Sequence, residues 1–145
     1  MSDFFQWDPA RLALNVPDMD HEHRVLIACM NKLHDLHEAG AGANDIRVSL
    51  DKLVTVTKKH FADEEAFMER IGYAGTAVHK GVHRQLLERL DGHADAFHRE
   101  RHLTPEFFHF LKMWLSAHIR GIDMKYADFA NGRTRPAVAA GGGRI

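Results

Sequence analysis

LDKLVTVTKKHFADEEAFMERI, residues 50–71, is the stretch on which the fold turns. Its apolar or otherwise notable side chains fall at Leu50, Leu53, Thr57, His60, Glu64, Phe67 and Ile71. Steps of three and four bring all of these to one side of an α-helix, the side that a surface helix buries. A histidine and a glutamate one turn apart therefore sit in the middle of a stripe that should face a core. Asn44 or Asp45 opens this helix and Gly72 stops it.

Three further stretches read as helices, and none reads as a strand. The first runs from Met19 to Glu38, with Asp18 as N-cap, Asp20 and Glu22 at the positive end of the dipole, and Gly40 as the stop. Its inner stripe is His23, Ile27, Met30 and Leu33. Another begins near Gly75 or Thr76 and continues to about Arg101, with His79, His83, Leu86, Leu90 and Phe97 inward. The last has the clearest start, with Thr104 as N-cap, Pro105 at the first helical position and Glu106 in the first turn. It runs through Phe107, Leu111, Trp114, Leu115 and His118 to around Phe129, before Asn131 and Gly132. Connections of a few residues make neighbouring helices antiparallel. The expected fold is all-α, an antiparallel up-down-up-down four-helix bundle over residues 19–130. An N-terminal arm, residues 1–18, precedes it, carrying Pro9 and Pro17, and a flexible C-terminal tail, residues 131–145, follows.

Composition narrows the function classes. A chain of 145 residues with 45% hydrophobic and 27% charged residues is about one ordinary globular domain. A formal net charge of -1 favours neither nucleic acid nor an anionic membrane surface as partner. Cys29 is the only cysteine, so no internal disulfide forms, and a cytoplasmic location is expected. The segment MSDFFQWDPARL lacks the apolar core of a signal peptide, and no apolar run reaches the ~20 residues that span a bilayer.

The 12 histidines carry the chemical signal. Chance alone gives about one pair four apart in such a chain, so a single HxxxH is weak. His98 and His102 are such a pair, beside Arg99, Glu100 and Arg101, and are expected at the surface. His60/Glu64, His79/His83, His118 with Asp123, and His23 differ, because each lies on an inward stripe of a different helix. Burying so many imidazoles and carboxylates unpartnered costs several kcal/mol each, and a metal centre removes that cost. Spacing alone reaches a metal site without naming the metal. It also leaves a difficulty: His118 and Asp123 are five apart, about 140° off a common helical face. A shared target requires a distorted last turn, which Gly121 can permit.

The run Asp20-His21-Glu22-His23, then His60 to Glu65, His79 to His83 and His118 to Asp123 resembles the signature of the haemerythrin family, H…HxxxE…HxxxH…HxxxxD. The match extends from about Trp7 to Phe129 and fills all seven ligand positions; Asn31-Lys32-Leu33 and Trp114-Leu115 also resemble prokaryotic members. The resemblance implies a non-haem centre of two iron ions (Fe2+/Fe3+) with an oxo or hydroxo bridge. It implies His79, His83 and His118 on one iron, His23 and His60 on the other, and Glu64 and Asp123 bridging both. His23 rather than His21 fits both the family pattern and the inward stripe.

The implied function is reversible dioxygen binding, for transport or storage, with oxygen held as hydroperoxide at the iron of His23 and His60. Site charge is then the same before and after binding, which keeps reorganisation small. Two carboxylates against five imidazoles also differ from the carboxylate-rich ferritin-like oxidases, so no enzyme activity is expected. Leu26, Ile27, Phe61, Trp114, Leu115 and Ile119 are the candidates for a dry oxygen pocket. An oxygen or redox sensing module is the alternative; a chain running from Met1 to a short tail favours a free-standing carrier. Expected partners are dioxygen and either an oxygen-consuming enzyme or a signalling partner.

Overall fold

The computed structural model describes residues 3–132, and every regular element among them is helical. They are α1 (Pro9–Leu12), α2 (Pro17–Glu38), α3 (Ala43–Arg70), α4 (Thr76–Glu100), α5 (Pro105–His118), a π-helical turn (Ile119–Asp123) and α6 (Met124–Ala130). The long helices α2, α3 and α4 and the composite rod α5–π–α6 make a four-helix bundle. Residues 133–145, most of the expected tail, lie outside the described residues.

Each boundary has a local cause. Both α2 and α3 end in a Schellman motif: Ala41 N–H donates to Leu36 and Gly40 N–H to His37, and Tyr73 N–H donates to Met68 and Gly72 N–H to Glu69. The motif needs a left-handed residue, and Gly40 (φ 72°) and Gly72 (φ 70°) supply it. Thr104 caps α5, its hydroxyl accepting from Phe107 N–H at 3.2 Å. The start of α2 corrects the expectation. Its N-cap is Val16 rather than Asp18, because Pro17 takes the first helical position where a missing N–H costs nothing. Asp20 then turns back to accept from Leu14 N–H at 2.8 Å.

The N-terminal arm contains one short helix, α1, capped by Asp8. It is packed down: Phe5, Leu12, Leu14 and Val16 are buried in the common core. Asn31 on α2 clamps it by accepting from Phe5 N–H (2.8 Å) and donating to Phe5 O (2.9 Å). Asn131, beyond α6, donates to Leu14 O at 3.0 Å. Inward stripes run as expected on α2, where His23, Ile27, Met30 and Leu33 are buried. On α3 the stripe leaves Phe67 half-buried and ends on Met68. On α4 Leu86 is only half-buried and Ala94 joins Leu90 and Phe97.

Candidate metal centre

The bundle brings seven buried ligand-type side chains together: His23 from α2, His60 and Glu64 from α3, His79 and His83 from α4, and His118 and Asp123 from the fourth rod. They fall into two overlapping groups. Glu64, His79, His83, His118 and Asp123 offer donor atoms all within 4.8 Å of one another, and so do His23, His60, Glu64 and Asp123. The carboxylates belong to both.

Oxygen by oxygen the division is clean. Glu64 Oε1 lies 2.9 Å from His83 Nε2 and 3.5 Å from His79 Nε2, while Oε2 lies 3.5 Å from His60 Nε2 and 3.6 Å from His23 Nε2. Asp123 Oδ1 lies 3.0 Å from His118 Nε2 and 3.1 Å from His79 Nε2, and Oδ2 is 3.1 Å from His23 Nε2. Each carboxylate thus shows one oxygen to the three-histidine group and the other to the two-histidine group. That is the arrangement of a carboxylate bridging two cations.

The π-turn makes this possible. Met124 N–H donates to Ile119 O, a five-residue step that holds one more residue in the turn than an α-helix does. Asp123 is thereby carried back to the side of His118, removing the mismatch of their spacing. The distortion sits inside the rod rather than in its last turn, since α6 continues to Ala130. Gly121 is not sterically required there: a methyl group in its place meets nothing within 4 Å.

Among the described residues, the buried side-chain atoms without a hydrogen-bond partner are His23 Nδ1 and Nε2, His60 Nε2, both Asp123 oxygens and Trp114 Nε1. Four of these six face the centre, close to opposite charges yet meeting none at hydrogen-bond geometry. Orphans of this kind cost about 1–3 kcal/mol each, more when charged. Donors that converge on two points fit metal cations, and among the seven side chains only His83 Nε2 with Glu64 Oε1 (2.9 Å) and His79 Nε2 with His118 Nε2 (3.3 Å) meet each other at hydrogen-bond geometry. Five imidazoles with two carboxylates is a set that iron accepts readily.

Without a metal the same groups pair electrostatically. Burial lowers the His60 pKa, but the Glu64 charge and the contact with Glu22 outweigh it and hold it at about 10. His118 is likewise disfavoured by burial and raised to about 9 by Asp123. His23 and His79 move upward against burial, chiefly through Asp123. Burial alone would raise Glu64 and Asp123, yet the surrounding imidazoles hold both well below the usual carboxylate range.

Three participants escaped sequence reasoning. Tyr126 on α6 is fully buried and donates its hydroxyl to Glu64 Oε2 at 2.6 Å. Glu22 accepts from His60 Nδ1–H at 2.7 Å, and Glu65 from His83 Nδ1–H at 2.8 Å. The available signal was position: Tyr126 stands one turn beyond Asp123, and each glutamate adjoins a candidate ligand. By contrast His21 is exposed, and so are His98 and His102, as expected.

All six oxygen-pocket candidates, Leu26, Ile27, Phe61, Trp114, Leu115 and Ile119, are buried. Phe61 stacks on His83 with centroids 3.8 Å apart, and Trp114 lies edge-on to Phe61 at 5.7 Å. A separate surface cleft of about 280 Å³, between α2 and α3, reaches His60. It is lined by Val25, Val56 and polar residues, and by none of the six.

Residues 14–130 match the family described as the Hemerythrin HHE cation binding domain. A bacteriohemerythrin of Stenotrophomonas maltophilia is 34% identical over 121 residues, which is 81% of this chain and 76% of that protein. One from Methylococcus capsulatus is 32% identical over 83% of this chain and 92% of its own length. A myohemerythrin of Riftia pachyptila is 32% identical, with coverages of 84% and 90%. A solved structure of wild-type hemerythrin superposes with a TM-score of 0.79 at 31% identity, over 85% of this chain and 95% of that one.

Proposed function

The chain belongs to the haemerythrin family, and from that premise we propose that it binds dioxygen reversibly at a non-haem di-iron centre, as a carrier or store. The observation that carries the reading is the divided carboxylate geometry, with one oxygen of Glu64 and one of Asp123 facing each histidine group. In this reading His79, His83 and His118 would hold one iron, His23 and His60 the other, and Glu64 and Asp123 would serve both. Two iron ions held there would supply the reversible two-electron exchange with dioxygen.

The chain's own residues account for the rest. With five protein donors in one group and four in the other, the His23/His60 side keeps room for an exogenous ligand. Tyr126 holds in place the Glu64 oxygen that faces His23 and His60. Its phenol stays protonated, because burial and then the Glu64 and Asp123 charges push its pKa well above the ordinary value. Phe61, Trp114, Leu115 and Ile119 pack the side facing α5 and keep water from the buried imidazoles. The role is binding and release rather than turnover, in line with a donor set poor in anionic carboxylates. No helix among the described residues is long and apolar enough to cross a membrane.

The test is optical. Iron-loaded protein is reduced anaerobically, exposed to air, then returned to an oxygen-free atmosphere. A visible ligand-to-metal charge-transfer band that appears with oxygen and vanishes on its removal, over repeated cycles, is the expected result. One irreversible conversion to a ferric form would exclude the carrier role.

A further inference from the structure

The geometry points to Glu22 and Glu65 as a pair of positioning residues, each assigned to one iron: Glu22 orients and polarises His60 of the two-histidine group, and Glu65 does the same to His83 of the three-histidine group. This rests on the di-iron reading above and adds a division of labour outside the seven donors.

The observations are specific. His60 turns Nε2 toward Glu64 and Nδ1 toward Glu22, and His83 turns Nε2 toward Glu64 and Nδ1 toward Glu65. A carboxylate can only accept at 2.7 and 2.8 Å, so each ring carries a hydrogen on Nδ1, and Nε2 is the nitrogen whose lone pair a metal would take, displacing any proton held there. An anion at Nδ1–H also makes Nε2 a stronger donor. The histidines are buried, whereas the Glu22 and Glu65 side chains are 23% and 27% exposed. Each glutamate therefore stays solvated at its outer edge and avoids the penalty of a buried lone charge. Lys59, which pairs with Asp63 at 2.7 Å, also lies close enough to interact favourably with the Glu22 charge. Among the described residues, Nδ1 of His23, the other imidazole of the two-histidine group, is buried without a hydrogen-bond partner. Of the two imidazoles on that side, only His60 therefore has its outer nitrogen held by a hydrogen bond, the one to Glu22.

Cobalt(II) titration of the full chain separates the two sites. The group with four protein donors leaves cobalt at lower coordination number, with stronger visible absorption, than the group with five. Wild-type protein should take up two cobalt ions; less than that would overturn the di-iron reading and this inference together. With two bound, Glu22→Gln should weaken only the strongly absorbing site, about 10–100-fold by chelator competition, and Glu65→Gln only the other. Glu22→Asp, which keeps the charge, should recover part of the loss. Both variants are near-isosteric at partly exposed positions, so folding is checked by the unchanged far-UV spectrum. Unchanged affinities, or equal losses at both sites from either variant, would overturn the assignment while leaving the di-iron reading standing.

Discussion

Among individual residues, Glu64 has the most demanding position, because two groups of histidines and one phenol converge on its two oxygens. Glu64→Ala or His79→Ala should abolish stoichiometric loading of two irons, measured as iron per chain after anaerobic reconstitution. Retention of two irons and normal oxygen binding in either variant would refute the ligand assignment. Tyr126→Phe is a gentler probe: it deletes one hydroxyl and leaves packing intact. A hydrogen bond to a charged group contributes about 1.5–3 kcal/mol, so the urea midpoint should fall by that equivalent with little change in slope. An unchanged midpoint would mean the 2.6 Å contact does not hold Glu64. Six of the seven candidate ligands were legible on helical stripes, because a histidine or carboxylate there contradicts its surroundings; Asp123, off the face of His118 by helix arithmetic, was reached only through the family resemblance. Tyr126, Glu22 and Glu65 were not legible. A tyrosine on a stripe looks like ordinary core, and an acid beside a ligand looks like ordinary surface. Their roles appear only when side chains from different helices share coordinates.

Whole elements were read with similar strengths and blind spots. Glycine stops, the Thr104–Pro105–Glu106 start of α5 and most of each stripe depend on residues close in sequence and were legible, although Phe67, Ile71 and Leu86 are only half-buried and Met68 and Ala94 join the core. The same proline rule applied at α2 places its start at Pro17, where attention to Asp18 misses it. The packing of the arm was hidden because it depends on Asn31 and Asn131, both far along the chain. The π-turn was visible only as a contradiction, five residues where four would align His118 with Asp123. Gly121 looked like the residue that permits it, yet it is exposed, its φ is not positive, and a Cβ there meets nothing. Gly121→Ala should therefore stabilise the fold by about 0.5–1 kcal/mol, the usual helix preference, with two metals still bound. Loss of metal in this variant would mean that the wider turn needs glycine's backbone freedom after all. Otherwise the turn is held by what it positions, namely Asp123 against His118 and His79, rather than by its own sequence.

Across the whole molecule, metal binding and folding are linked through protons. After chelation, His60 and His118 hold their protons up to about pH 10 and 9, against about 6.5 in the unfolded chain. A raised pKa stabilises fully below the unfolded value, and that stabilisation is lost as pH rises through the folded values. Glu64 and Asp123 act in the opposite direction. With depressed pKa values, they contribute above about pH 4 and fail as acid protonates them. Between pH 7 and 9, then, unfolding the chelated protein releases protons, and its stability falls as the pH rises. The slope approaches about 2.7 kcal/mol per pH unit for two fully displaced protons, less where water reaches the site. Loaded protein has already given those protons up, because a metal needs the neutral imidazole. Its stability should stay level over the same range. The gap in Tm between cobalt-loaded and chelated protein should therefore widen steadily from pH 7 to 9, by about 2–4 °C for each kcal/mol. Metal loading at pH 7 in weak buffer should also release about two protons per chain from His60 and His118, and a further fraction from His23 and His79. A gap that stays constant with pH, with no proton release, would mean that the buried histidines are neutral before metal arrives. The charge pairing that balances the core without metal would then be wrong.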